Sequence, residues 1–345
     1  MKTDTRKHVF FRLSAPYPAL IQAASAALLC AALALPLLNG CATATSAAEY
    51  YSIGMAYYDV GKFEEAEKWL NRARAADRTQ VASEYQLGRI AFETGRFQEA
   101  AGYFESVLKR DPENLLALKA AAYTRIKTGD LELADRHYRK VLTLEPESAD
   151  NGYNYALVLY AMERYADAEK VLSGHQFALL DSSDSLLLFA RTQKAQGKVE
   201  AMDNYAKWLA NNTDPQVRYE YAQMLEAEEL YARSLEEYRS VLNELSSSVS
   251  GTLKRTDLRF AIGRLLLIAD SESSEGISEL QGAVAEGYSD FEAMEKLLED
   301  ERISAANKTS LSIVINDARK ALEEAEEPEE EEEEAAEAAA ETGEE

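Results

Sequence analysis

Small, large apolar and turn-forming residues recur along the chain at a fixed interval of 34 positions. Five consecutive blocks start at Ala47, Val81, Leu115, Ala149 and Ser183. Counted from each start, position 8 is small: Gly54, Gly88, Ala122, Ala156 and Ala190. Position 20 is Ala66, Ala100, Ala134 and Ala168, then Met202. Position 15 is Gly61, Gly95, Gly129, Glu163 and Gly197. Position 17 is Phe63, Phe97, Leu131, Tyr165 and Val199, and position 24 is Leu70, Phe104, Tyr138, Leu172 and Ala206. This order predicts a helix, a short turn and a second helix. Small residues at 8 and 20 let two antiparallel helices approach, because interaxial distance follows the side chains at the contact. Large residues at 17 and 24 fill the space beside them. Glycine at 15 ends the first helix, where a left-handed backbone costs it nothing. Pro112 and Pro146 stop second helices before the next block. Self-similarity at this period marks a solenoid, which works by presenting a surface.

The motifs are Tyr-x-x-Gly-x-x-Tyr around Gly54 and Tyr57, Gly-x-Phe-x-x-Ala at Gly61–Phe63–Ala66 and Gly95–Phe97–Ala100, and Asp111-Pro112. With them the chain resembles the tetratricopeptide repeat family over roughly residues 47–285. The resemblance implies an all-α, right-handed superhelical solenoid of antiparallel helix pairs with about six to seven repeats. The repeats span 47–80, 81–114, 115–148, 149–182, 183–214, 215–248 and a degenerate 256–285. The sixth carries Ala222, Tyr231, Ser234, Tyr238 and Val241. The seventh fits Gly263, Leu266, Gly276, Ile277, Leu280 and Ala283 with one residue inserted. A helical cap (286–322) and a disordered Glu-rich tail (323–345) complete the expected layout. Ser246–Ser250 reads as a longer loop. In the fourth block, Ser173, Gly174 and His175 fall where the second helix should continue. Either that helix ends early or the solenoid bends there.

The front of the chain reads as an address. Lys2, Arg6, Lys7 and Arg12 precede an apolar stretch, Ala19–Leu38, and no charge follows Arg12 until Glu49. A basic segment followed by an apolar one is a secretory signal. It ends in Leu38-Asn39-Gly40-Cys41, which resembles the lipobox of bacterial lipoproteins. In that family the cysteine is lipidated and becomes the mature N-terminus. Cys41 is therefore the candidate lipidation (palmitate) site, residues 1–40 the signal peptide and 41–46 a short tether. Ala42, in place of an inner-membrane-retaining Asp, implies an outer-membrane lipoprotein facing the periplasm. The competing reading is an uncleaved membrane helix, since twenty apolar residues can just span a bilayer. Cys30, preceded by Leu29, reads as an ordinary residue of the apolar segment.

The formal net charge is −24, and residues 323–345 contribute fourteen Glu and no base. Such a surface excludes nucleic acid as a partner and opposes adsorption on anionic membranes. The tail reads as solvating and self-repelling, with a fluctuating helix as its most ordered form. A bait for basic partners, weak divalent-cation binding and a pseudo-ligand for the chain's own groove are its functional readings.

The resemblance also implies a binding face, since first-helix positions 2, 5, 9, 12 and 13 line the concave side in this family. Positions 5, 9 and 12 are Tyr51, Met55 and Tyr58; Tyr85, Arg89 and Phe92; Lys119, Tyr123 and Ile126; Tyr153, Leu157 and Tyr160. In the fifth block, positions 9 and 12 are Arg191 and Lys194. Repeats that clamp a C-terminal carboxylate rely on Asn at position 9, and none is present. An extended peptide with apolar anchors fits better, because aromatic side chains give large contact area at low entropy cost. Part of this stripe is packing consensus.

The chain has no phosphate loop, Rossmann glycine pattern, His-Glu-x-x-His or nucleophile elbow. His8, His137 and His175 are scattered, and Trp69 and Trp208 read as packing residues. The expectation is no cofactor, no metal and no enzyme. The leading reading is a lipid-anchored scaffold for an envelope protein or extended peptide, in envelope assembly, secretion or cell-wall complexes. Its rival is a transporter accessory holding an apolar small ligand inside the superhelix. Oligomeric state is not legible.

Overall fold

The computed structural model describes residues 45–174, 182–245 and 253–341, with side chains to residue 324. The expectations for residues 1–40, Cys41, His175 and the Ser246–Ser250 loop lie outside the described residues. Among those residues the chain is all-helical, with sixteen helices and no strand. It divides into two compact units, Met1–Lys198 and Val199–Glu345.

In the first unit, helices pair in sequence order. They are α1 (Ala47–Asp59) with α2 (Phe63–Ala76), α3 (Val81–Glu93) with α4 (Phe97–Arg110), α5 (Leu115–Lys127) with α6 (Leu131–Leu144), and α7 (Ala149–Ala161) with α8 (Tyr165–Leu172). Helix α9 (Ser183–Ala195) follows. Helices α1, α3, α5, α7 and α9 start at the first residues of the five sequence blocks. Entry into α1 is fixed by a capping box. Glu49 N–H donates to Ser46 Oγ (3.2 Å), and Ser46 N–H donates to Glu49 Oε2 (2.7 Å). Asn114 and Ser148 cap α5 and α7 through their side chains.

The turns close alike. Lys62, Arg96, Asp130 and Arg164 each donate a backbone N–H to the carbonyl five residues earlier, at 2.7–3.0 Å. This is the Schellman pattern, and it places a left-handed residue at position 15. Gly61, Gly95, Gly129 and Gly197 take φ of 70–80°, and Glu163 takes φ 59° there without being glycine. The small residues at positions 8 and 20 act as the spacing predicts. Ala66, Ala100, Ala134, Ala168, Ala122, Ala156 and Ala190 are fully excluded from solvent. At Gly88 the approach is close enough that a Cβ would lie 2.7 Å from Phe104 Cε1.

The second unit holds α10 (Ala201–Leu209), α11 (Pro215–Ala227), α12 (Tyr231–Leu245), α13 (Arg255–Ala269), α14 (Ser274–Ala285), α15 (Phe291–Glu299) and α16 (Ala305–Glu341). Ser234 Oγ donates to Ala222 O (2.8 Å), tying α12 to α11 where the two small positions meet. Helices α13 and α14 cross at paired glycines. A Cβ on Gly263 would lie 2.8 Å from Leu280 Cγ and 2.9 Å from Gly276 O. The cap packs Met294, Leu297, Leu311 and Ile315 against Leu280 and Ala283. Asn307 Nδ2 donates to Ser271 O (2.9 Å) and anchors α16 to the α13–α14 turn.

Two open readings are resolved and two places depart from the sequence reading. Of the two options for the fourth block, the helix ends early: α8 stops at Leu172, with Ser173 as its C-cap. In the fifth block α10 starts late, at Ala201, so Val199 is 50% exposed instead of filling the core. Its buried residues are Ala201, Tyr205 and Trp208 rather than positions 20, 24 and 27, a rotation of one residue. Leu157, expected on the binding face, is 5% exposed and packs with Leu172 and Leu188. The Glu-rich tail, expected to be disordered or at most a fluctuating helix, continues the backbone of α16 to Glu341. Ala and Glu are strong helix formers, and extending an existing helix carries no nucleation cost.

Candidate functional site

Positions 5, 9 and 12 are spaced i, i+4, i+7, so on each first helix they share one face. Tyr51, Met55, Tyr58, Tyr85, Arg89, Phe92, Lys119, Tyr123, Ile126, Tyr153 and Tyr160 are all half-buried on α1, α3, α5 and α7. Arg191 and Lys194 are half-buried on α9. Each helix leaves this face partly open while the rings lean on the second helix behind. Tyr58 packs on Phe63 (5.6 Å between centroids), Phe92 on Phe97 (5.2 Å) and Tyr160 on Tyr165 (5.2 Å). Tyr85 packs on Phe104 (5.6 Å). These contacts repeat at positions 12–17 and 5–24, so one side of every ring holds its own repeat together.

The other contacts run between repeats and join the face into a row. The Arg89 guanidinium lies 4.8 Å over the Tyr58 ring, and Phe92 meets Tyr123 at 5.2 Å. Gln86 Nε2 donates to Tyr51 OH (3.5 Å). Within the third repeat, Lys127 Nζ lies 5.4 Å from the Tyr123 centroid. Burial raises the Tyr58 and Tyr85 phenols above the usual tyrosine range, with Arg89 pulling the other way. Both therefore stay neutral at physiological pH and offer a hydroxyl beside an apolar ring. Lys119 points into the protein: its Nζ donates to Glu145 Oε2 (2.7 Å), which also accepts from Asn151 Nδ2 (2.8 Å). The bond from Lys119, then that from Asn151, lowers the Glu145 pKa. Glu145 thus holds Lys119 within the third repeat and reaches Asn151 of the fourth.

A second set of residues was missed in the sequence. Glu67 pairs with Arg96, Asp135 Oδ1 with Arg164 Nη1 (3.2 Å), and Glu169 Oε2 with Lys198 Nζ (2.5 Å). Each is position 21 of one block meeting position 16 of the next. Ala101 interrupts this ladder between the second and third repeats. There Glu105 takes over, accepting from Arg125 Nη2 (3.3 Å) and lying 3.0 Å from His137 Nε2. The signal available was an acid followed 29 residues later by a base, three times over. The ladder ties the second helix of one repeat to the turn of the next.

Where α8 stops, a cleft of about 440 Å³ opens over Tyr155 and Leu159, edged by Arg139, Arg164 and Lys170. Its two arginines are engaged by Asp135. Among the described residues no group of three His, Cys, Asp or Glu converges as a metal site. No helix there is long and apolar enough to cross a membrane.

A family model described as tetratricopeptide repeat matches residues 51–115 and again 85–134. No curated protein matches the chain in sequence. Among solved structures, a tetratricopeptide repeat protein from Parabacteroides merdae is 21% identical, covering 73% of this chain and 97% of its own, with a TM-score of 0.49. PilF of Pseudomonas aeruginosa is 22% identical over 64% of this chain and 97% of its own, with a TM-score of 0.48. MamA from AMB-1 is 18% identical over 48% and 91%, with a TM-score of 0.44. Arrays of this kind are in general protein-binding scaffolds without catalytic machinery. The 34-residue period, the helix pairs with their glycine turns, and the family model matched over residues 51–134 identify tetratricopeptide repeats in this chain.

Proposed function

We propose that the chain is a lipid-anchored scaffold of the bacterial envelope that holds an extended segment of a partner protein along the first-helix face of repeats one to four. The observation that carries this reading is the row itself. Tyr58–Arg89 and Phe92–Tyr123 touch across repeat boundaries, so the face is continuous over repeats one to three and not a set of isolated rings. Half-buried aromatic residues are rigid, and they bind apolar side chains while their hydroxyls satisfy peptide groups. Leu157 drops out of the binding set, and Lys119 supports it from behind. Anchoring through Cys41, outer-membrane residence and a periplasmic orientation rest on the Leu-Asn-Gly-Cys-Ala sequence. Envelope assembly, secretion or cell-wall organisation are the processes such a tethered scaffold would serve.

The test is site-specific photocrosslinking in cells. A photoreactive phenylalanine at Tyr123, on the row, should give an adduct with one discrete envelope protein. The same group at Arg136, exposed on the second helix α6, should not. Equal adducts from both positions, or none from Tyr123, would remove the groove assignment. The mass of the mature N-terminal peptide reports independently on lipidation of Cys41.

A further inference from the structure

Helix α1 carries a second apolar stripe, on the side that every later first helix turns to the preceding repeat. In α3 that side is closed: Ser83, Leu87, Ile90 and Ala91 are 0–1% exposed. In α5, Ala117, Leu118, Ala121 and Thr124 are buried to the same extent. Among the described residues no repeat precedes α1; of its corresponding residues Glu49 is exposed, and Ile53, Ala56 and Tyr57 stay partly open. Tyr50, Ile53, Tyr57 and Val60 follow i, i+3, i+7, i+10, one straight seam. Val60 is 67% exposed. Trp69 of α2 extends the seam, tilted against Tyr50 with ring centroids 5.9 Å apart and covered on its ring by the Arg72 guanidinium at 4.5 Å. Terminal repeats of a solenoid need a polar outer face for solubility. This one has Glu49 at one edge, but its centre is aromatic and aliphatic.

The tether points to the occupant. Cys41 is six residues ahead of Ala47, a reach of at most about 20 Å. A chain anchored there holds α1 against the bilayer surface, and so does one anchored by an uncleaved Ala19–Leu38 helix. Docking is then intramolecular, so a weak contact suffices. Tyr and Trp bodies with aliphatic neighbours and a guanidinium are the side chains that favour the headgroup boundary. We infer that the Tyr50–Ile53–Tyr57–Val60 seam with Trp69 is a membrane-contact face that seats the first repeat on the lipid interface beside its anchor. The inference rests on the membrane anchoring proposed above.

The chain has two tryptophans. Trp208 is 8% exposed and its indole nitrogen finds no hydrogen-bond partner among the described residues, so Trp208→Phe is a mild way to leave Trp69 as sole reporter. This full-length variant, purified from membranes, is reconstituted into zwitterionic phosphatidylcholine/phosphatidylethanolamine vesicles with acyl chains brominated near the carbonyl. Trp69 emission should fall by roughly half relative to unbrominated lipid. Adding Ile53→Asp and Tyr57→Asp should abolish that loss while the helical circular dichroism is retained. Vesicle-bound chain with unquenched Trp69 overturns the inference and leaves the anchoring intact. So does Trp69 emission that tracks protein concentration instead of lipid, the sign of a second copy on the seam. A chain that fails to float with the vesicles overturns the anchoring, and this inference with it.

Discussion

The second and fourth repeats solve the same packing problem with different residues. In the second, Gly88 lies against Phe104, Gly95 makes the turn, and α4 runs fourteen residues to Arg110 before Asp111-Pro112. In the fourth, Ala156 replaces the first glycine, Glu163 takes the left-handed turn, and α8 runs only eight residues. The fourth repeat breaks the sequence rules at its turn and in the length of its second helix, and still closes. What it has instead is α7, in which every residue from Asn154 to Leu159 is buried. It also has a carboxylate, Asp135 of the preceding repeat, gripped by three of its neighbours. Tyr155 OH donates to Asp135 Oδ1 (2.8 Å), Arg139 Nη2 lies 2.9 Å from Oδ2, and Arg164 Nη1 lies 3.2 Å from Oδ1. A repeat in a solenoid is stabilised by its neighbours as much as by itself, and here the neighbour carries more of the load.

The sharpest way to break the comparison is to remove that grip. Asp135 is 5% exposed, and its truncation leaves the Tyr155 hydroxyl without its acceptor, while Arg139 reaches solvent and Arg164 keeps Asp167. Asp135→Ala should cost about 2 kcal/mol of unfolding free energy in urea. The exposed counterpart Glu67→Ala should cost about 1 kcal/mol or less, because its pair with Arg96 is screened by solvent. Equal losses would show that the fourth repeat does not depend on the third in this way.

Alkaline pH probes the same cluster. Burial, and then the bond to Asp135, raises Tyr155 from 10.0 to about 12. The folded chain therefore keeps this proton where the unfolded chain releases it. The contribution is full below pH 10 and is lost as pH rises from 10 to about 12. Urea midpoints should fall across that window, and Tyr155→Phe should flatten the fall. The flattening is partial, because burial raises Tyr138 and Tyr238 as well. A slope unchanged by Tyr155→Phe would remove Tyr155 from the account.

These residues also mark the limit of what the sequence discloses. The block starts, the glycine turns and the small residues at positions 8 and 20 are legible because each has one physical job and recurs at every period. Asp135, Glu67 and Glu169 are not. A charge on an amphipathic helix looks solvated until the rotation of the next repeat is known. Leu157 fails for a related reason. Its place on the first-helix face is as expected, but α9 supplies Leu188 to cover it. The aromatic row was legible as a list of residues, while its contacts across repeats, Arg89 on Tyr58 and Phe92 on Tyr123, required the structure.

Position 8 separates the two repeats next. An alanine at Gly88 would place its Cβ 2.7 Å from Phe104 Cε1 and 3.0 Å from Tyr103 Cβ. Phe104 is buried to 1% exposure and cannot swing away. Overpacking of this kind costs about 1–3 kcal/mol against a helix-propensity gain of about 1 kcal/mol, so Gly88→Ala should destabilise on balance. In the fourth repeat the site already holds a methyl group, and Ala156→Gly should instead cost about 1 kcal/mol. Opposite preferences at equivalent positions would show that helix separation is set repeat by repeat. A stabilising Gly88→Ala would show that the α3–α4 contact relaxes.

The smallest effect tests the remaining broken rule. Glu163 sits at φ 59° where its equivalents are glycine. A side chain in the left-handed region costs about 1–2 kcal/mol because Cβ crowds the following carbonyl. Glycine removes that strain but adds chain entropy to the unfolded state, worth about 0.4–1 kcal/mol in the other direction. Glu163→Gly should therefore stabilise the chain by about 0.5–1 kcal/mol, read as a raised urea midpoint at unchanged slope. Glu229, at φ 58° in the second unit, offers the same substitution with the same expected sign. Gly95→Glu, the reverse change in the second repeat, should cost about as much as Glu163→Gly restores. If both glutamates resist replacement, the left-handed turn is not where the strain lies. Their side chains would then contribute a contact that glycine cannot supply, and the fourth repeat would be held together by its turn as well as by its neighbour.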